Sequence, residues 1–105
     1  MLIITEAAAK QITVQIKQSD VHGMVLRVAA KTNEDGSFDY GMGFDESKEE
    51  DIKSSQHDVD IVMDAQSAEL LEDATMDYVE LEQGQFHFIF SNPIDPNYIP
   101  PKKGQ

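Results

Sequence analysis

Residues 85–93 read Gln-Phe-His-Phe-Ile-Phe-Ser-Asn-Pro, and the architecture follows from how this stretch is read. Phe86, Phe88 and Phe90 occupy every second position. A strand sends alternate side chains to opposite faces, so three of the five phenylalanines fall on one side, which is expected to be core. Asn92 and Pro93 end the strand, because proline lacks a backbone donor and holds the residue before it extended. Residues 24–30, 61–63 and 76–81 are also strand-compatible and need an apolar layer, for which the aromatic row is the natural candidate.

Upstream, Leu2 and Ile4 suggest a short edge strand, and the Thr5 hydroxyl is placed to cap a helix starting at Glu6. Ala8, Ile12 and Ile16 recur every four residues with Ala9 beside them, which predicts an amphipathic helix of about three turns docked on a sheet. Ser19, Asp20, His22 and Gly23 break it. Arg27 lies inside the strand at 24–30, where a lone arginine calls for a carboxylate partner at an edge. Residues 31–37, Lys-Thr-Asn-Glu-Asp-Gly-Ser, carry the strongest hairpin signal, since Asp-Gly tolerates the positive φ of a tight turn. Phe38, Tyr40 and Met42 then alternate with Asp39, Gly41 and Gly43 as a returning strand. From Asp45 to Asp51 runs an acidic stretch whose spacing lacks the glycine and glutamate positions of a calcium loop, so a solvated linker reaching to about Asp60 is expected. Val59, Ile61 and Met63 alternate as a strand, Asp64 caps a short helix holding Ala68, Leu70 and Leu71, and Gln83-Gly84 turns residues 76–81 into the aromatic strand. The predicted class is mainly β (α+β), two-layered, with an N-terminal helix and a short second helix.

A length of 105 residues with 40% apolar content suits one domain, residues 1–93, followed by a proline-containing flexible tail at 94–105. Cysteine is absent, which excludes disulfides, thiolate nucleophiles and thiolate-held metal within this chain. Twenty acidic against eight basic residues give a formal charge of −12, which repels phosphate backbones and anionic lipid, so neither nucleic acid nor membrane is an expected partner. The opening Met-Leu-Ile-Ile-Thr-Glu has no signal-peptide character, and a cytoplasmic location is expected. Catalytic constellations are missing as well. His22, His57 and His87 are scattered over a turn, a polar loop and a strand, and there is no nucleophile elbow or glycine-rich phosphate loop. The reading is that of a protein that is not an enzyme.

Several strings, in order, resemble those of the HesB/IscA/SufA family of A-type iron-sulfur carriers. They are Thr5-Glu6-Ala7-Ala8 at the first helix, Leu26-Arg27-Val28 before a turn, residues 64–71 before Met76-Asp77-Tyr78-Val79, and the ending Phe88-Ile89-Phe90-Ser91-Asn92-Pro93. The resemblance implies a HesB-like two-layer β-sandwich. It also implies three cysteine ligands, one in a Ser-Gly-Cys-Ser-Gly turn and two in a Cys-Gly-Cys tail, which fall here at Asp35, Ile99 and Pro101. None of these three can supply a thiolate, so no cofactor and no metal are expected, and the chain looks most like the cysteine-free DsrR group of sulfur-oxidising bacteria. What the resemblance implies is an interaction or regulatory factor in sulfur oxidation or iron-sulfur cluster assembly. Its partner would be a protein, with a cysteine desulfurase or another sulfur-handling protein as the class. Candidate partner-binding residues are Glu34, Asp35, Asp39, Glu46, Glu49, Glu50 and Asp51. The alternative is an iron-binding protein using carboxylate and imidazole ligands from Glu34, Asp35, Asp39 and His87.

Overall fold

In chain order the elements are β1 (Ile3–Ile4), α1 (Glu6–Ser19), β2 (Val25–Thr32), β3 (Phe38–Asp45), β4 (Ile52–Gln56), β5 (Val59–Met63), α2 (Ala65–Leu70), β6 (Thr75–Glu82) and β7 (Gln85–Ser91). This computed structural model describes residues 1–19 and 23–96. Two sheets form, a three-stranded one in the order β1-β6-β7 and a four-stranded one in the order β3-β2-β5-β4. β1 runs parallel to β6, and β2 runs parallel to β5, while the remaining neighbours are antiparallel.

Local chemistry accounts for the helix ends. The Thr5 Oγ1 accepts from the Ala8 amide at 3.2 Å and donates to Asp77 Oδ1 at 2.6 Å, so the same hydroxyl caps α1 and ties it to β6. At 14 residues α1 is longer than its expected three turns, and it lays Ala8, Ala9 and Ile12 into the core. α2 starts on Asp64, whose Oδ1 accepts from the Ser67 amide at 2.7 Å. The Ser67 hydroxyl, itself buried, bonds back to the Ala30 amide at 3.1 Å and so pins α2 to β2.

The deepest core is aliphatic. Leu2, Ile4, Ile12, Leu26, Val28, Ile61, Met63, Leu71 and Met76 are all nearly inaccessible, and each comes from a residue facing the gap between the sheets or from a helix stripe. The expectation that the phenylalanine row forms the core needs correcting. Phe86 is 50% exposed, and Phe88 and Phe90 are half-buried against the rim of the cluster. β7 is an edge strand, and its burial falls off from Ser91 toward Gln85. The row is organised by ring contacts: Tyr78 packs on Phe86 and Phe88 with centroids 5.6 and 4.7 Å apart, and Tyr40 stacks on Phe90 at 4.7 Å.

Both flanks of the sandwich are closed by side chains. On one, the Gln56 amide donates to the Leu2 carbonyl at 2.7 Å and accepts from the Ile4 amide at 2.8 Å, joining β4 to β1 across the sheets. On the other, the Tyr40 hydroxyl donates to Asp95 Oδ2 at 2.5 Å beside the Tyr40–Phe90 stack. Asn92, buried at the end of β7, donates to the Leu70 carbonyl at 2.9 Å and accepts from the Ile94 amide at 3.3 Å. The chain thus remains tied down through Asp95, and the rest of the expected tail, from residue 97, lies outside the described residues.

The linker expected between Asp45 and Asp60 also needs correcting, because β4 forms within it. Its sequence, Ile-Lys-Ser-Ser-Gln, carries no apolar alternation and is held by pairing with β5. The connecting turn has two residues, His57 and Asp58, with φ of 49° and 66°. Two left-handed residues make the tightest antiparallel turn, a conformation that sequence reading ties to glycine and asparagine.

Candidate functional site

The hairpin between β2 and β3 carries Glu34 and Asp35 at its tip. Ser37 donates through both its amide and its hydroxyl to Asp35 Oδ1, at 3.0 and 2.6 Å, and Gly36 alone takes the positive φ, 86°. These bonds from Ser37, the hydroxyl first, hold the Asp35 carboxyl below the usual range. Its acceptor capacity is therefore partly spent on shaping the turn. Asp39, two residues into the strand, faces Lys31 at 4.0 Å, and both are exposed.

At the far end of β3 the acidic stretch folds around Arg27. The guanidinium donates from Nε to Asp45 Oδ2 at 2.8 Å, from Nη1 to Asp51 Oδ1 at 2.9 Å, and from Nη2 to Asp51 Oδ2 at 2.6 Å and to the Glu46 carbonyl at 3.1 Å. A planar fork meeting a carboxylate with two parallel bonds is the strongest ion-pair geometry available to side chains. Asp51 also accepts from the Lys48 amide at 2.7 Å, and its side chain is 2% exposed. The Arg27 bonds, followed by the Lys48 amide, pull the Asp51 carboxyl down to about 2. Asp45 is lowered too, first by the Glu46 amide and then by Arg27, while the Asp51 and Asp45 bonds raise Arg27 itself. The partner that a lone strand arginine calls for is thus present, and the solvated linker is instead a latched loop.

The structure divides the seven candidate carboxylates. Glu34, Asp35 and Asp39 sit at the hairpin end, Glu46, Glu49 and Glu50 stand exposed on the latched loop, and Asp51 is turned inward to Arg27. Six strand residues, Tyr40 to Asp45, lie between Asp39 and Glu46, and the seven steps at about 3.3 Å each span roughly 23 Å. That exceeds the ~8 Å screening length of physiological salt, so the groups act as two separate negative patches.

The four ligands of the alternative iron site are not assembled. His87 stands exposed on β7 of the three-stranded sheet, whereas Glu34, Asp35 and Asp39 belong to the hairpin of the other. Among the described residues no three histidine or carboxylate side chains are grouped to hold a metal ion. His57 lies in the β4–β5 turn, and His22 lies outside the described residues. A groove of about 410 Å³ beside Tyr40 is lined by Lys31, Asp39, Asp64, Gln66 and Ser67. Three of its polar groups already serve the fold: Asp64 caps α2, Ser67 bonds Ala30, and Tyr40, whose hydroxyl is pushed up by burial and then by Asp95, donates to Asp95.

The arrangement of two mixed sheets with these connections has counterparts of known structure. The family described as iron-sulphur cluster biosynthesis matches residues 1–98. The chain belongs to this family. Among curated members of the iron-sulphur cluster biosynthesis family, the iron-sulfur cluster insertion protein ErpA of Ruthia magnifica subsp. Calyptogena magnifica is 36% identical over 93 residues, 88% of this chain and 79% of the relative. The SufA protein of Bacillus subtilis (strain 168) is 33% identical over 91 residues, 86% of this chain and 75% of the relative. The crystal structure of IscA with the [2Fe-2S] cluster superposes with a TM-score of 0.70 at 28% identity, covering 89% of this chain and 86% of that one.

Held against the cargo of the iron-sulphur cluster biosynthesis family, the donor set of this chain does not fit. It has no thiolate to offer. At Asp35 stands a hard oxygen ligand already bonded twice by Ser37. Ile99 and Pro101 lie outside the described residues, and neither side chain has a donor atom. No helix among the described residues is long and apolar enough to cross a membrane.

Proposed function

We propose that this chain is a non-catalytic family member that works through protein contacts, as an interaction or regulatory factor in sulfur oxidation or iron-sulfur cluster assembly, in the manner of the cysteine-free DsrR group. The observation that carries this reading is the retention of the fold with a formal charge of −12 and no cysteine. The exposed carboxylates at Glu34, Asp35 and Asp39, and at Glu46, Glu49 and Glu50, supply a field that speeds encounter with a basic surface more than it tightens the final complex. Asp51 contributes by holding the second patch in one shape through Arg27. The partner class is a cytoplasmic cysteine desulfurase or another sulfur-handling protein.

The test is association kinetics against purified desulfurases and sulfur-transfer proteins at several salt concentrations, for wild type and for a combined Glu46→Gln, Glu49→Gln, Glu50→Gln variant. Asp51 is left intact so that the loop keeps its latch. The expected outcome is an association rate that falls with salt and with the substitutions, while dissociation changes little. Binding with one association rate in both proteins at every salt level refutes the proposal.

A further inference from the structure

Every open sheet needs its edges protected, because an unpaired row of backbone N–H and C=O groups recruits further strands. Three of the four edges here are guarded. β1 is two residues long, and the Leu2 carbonyl just before it and the Ile4 amide within it are both taken by Gln56. β4 is short and carries Lys53, and β3 carries Asp39 and Asp45 together with Gly41 and Gly43. β7 has none of these devices. Its seven residues, Gln-Phe-His-Phe-Ile-Phe-Ser, contain no acid, lysine, glycine or proline, and among the described residues its outer edge has no strand beside it.

The two ends of β7 differ. At the Phe90 end, Tyr40 stacks on the ring and its hydroxyl reaches Asp95, so the flank is covered. The opposite end is open: Phe86 is 50% exposed, Leu81 is 59% exposed, and Tyr78 and Phe88 continue an aromatic shelf inward from Phe86. This open end is also acidic, since Glu80 pairs with Phe86 across the ladder and Glu82 pairs with Gln85, both glutamates being exposed. We infer that the outer edge of β7, from Gln85 to Ile89, receives an extended segment of a partner protein as an added strand. The segment would carry apolar side chains at alternate positions, over Phe86 and Phe88, and, at the hairpin end, a lysine or arginine long enough to reach across β7 toward Glu80 and Glu82, which lie one strand further in on β6. Backbone bonds give such a contact its affinity, and the alternate side chains its selectivity. A second copy of this chain is the poorer occupant: antiparallel self-pairing centred on Phe88 brings the Glu82 end of one strand to the Asp95 end of the other, adding like charge to a chain already at −12.

The inference deepens the proposed docking function and rests on it. The probe is a short synthetic peptide of alternating valine and threonine with lysines at one end, used with two relatives: one N-methylated at every second amide, in each of the two phases, and one with glutamates in place of the lysines. Binding is followed by calorimetry, and amide exchange is followed by NMR on the whole chain. The expected result is that the lysine peptide protects alternate amides within Gln85–Ile89, that one phase of N-methylation abolishes binding, and that Phe86→Ala weakens binding about tenfold. Phe86 is half-exposed, so that variant folds, and its far-strand amide pattern checks this. Binding that depends on the lysines but ignores N-methylation overturns the strand addition and leaves the acidic docking function standing. Binding that needs the free amides but ignores peptide charge keeps the strand addition and removes the electrostatic reading. No binding at millimolar peptide, or a stable dimer in sedimentation with β7 amides already protected, overturns the inference.

Discussion

Replacing Gln56 tests whether one side-chain amide really seals a flank of the sandwich. In the structure it satisfies two backbone groups at once, the Ile4 amide at 2.8 Å and the Leu2 carbonyl at 2.7 Å, at a place where β1 and β4 have no strand between them. Gln56→Ala removes both partners and leaves two part-buried groups of β1 to find water. Each net hydrogen bond is worth about 1 kcal/mol, and each stranded group adds a share of its desolvation cost, so a loss of roughly 2 kcal/mol is expected. For a domain of this size that is a drop in Tm of about 10 °C. Gln56→Glu separates hydrogen bonding from packing, since it keeps the volume and the acceptor for Ile4 while setting a carboxylate oxygen against the Leu2 carbonyl. At neutral pH it should cost at least as much as alanine. In acid, protonation restores the donor, so its deficit relative to wild type should shrink. Urea denaturation of the three proteins at neutral and mildly acidic pH measures this. A Gln56→Ala cost below about 0.5 kcal/mol, or Gln56→Glu as stable as wild type at neutral pH, refutes the bridging role.

Four further outcomes are expected. Arg27→Lys keeps the charge but cannot make the forked contact to Asp51, so trypsin should cut after Lys48 much faster than in wild type while global unfolding by circular dichroism stays cooperative. The Asp51 carboxyl is depressed to about 2 against roughly 3.9 when unfolded, so its contribution to the latch is complete above pH ~4 and disappears as pH falls through ~2. Protection of the Lys48–Asp51 segment in amide exchange should follow that window. His57→Asn with Asp58→Gly puts residues suited to positive φ into the two-residue turn and should stabilise by about 1 kcal/mol in urea titration. Ser54 Oγ is buried without a hydrogen-bond partner among the described residues, so Ser54→Ala should be neutral or stabilising by up to about 1 kcal/mol, measured by thermal melting.

What the sequence made legible follows from where its periodicity meets burial. β2 alternates because one face of it meets the core, while β5 shows the pattern only over Val59 to Ile61, since Val62 is buried on its other face, and the caps at Thr5 and Asp64 are local chemistry, readable within a few residues. β4 was invisible because an edge strand whose neighbour supplies the pairing needs no apolar pattern of its own. Alternation places the aromatic row on one face of β7 but says nothing of how deep that face lies, and burial falls off from Phe90 toward Phe86. At the candidate site, the acidic residues were in plain view, but which of them stays charged toward solvent depended on Arg27, a contact spanning 24 positions to Asp51. Gln56 gave no signal at all, because a glutamine that bridges two sheets reads the same as one facing water.

A chain of this family that has no cysteine and works by docking, as proposed above, carries no cluster. The most direct test is anaerobic incubation of the purified protein with ferrous iron, sulfide and a sulfur donor, then desalting and measurement of visible absorption together with iron and sulfide content. The expected result is no cluster bands and no protein-bound iron or sulfide beyond background. A stable cluster in stoichiometric amount, held by a chain with no thiolate, would contradict it.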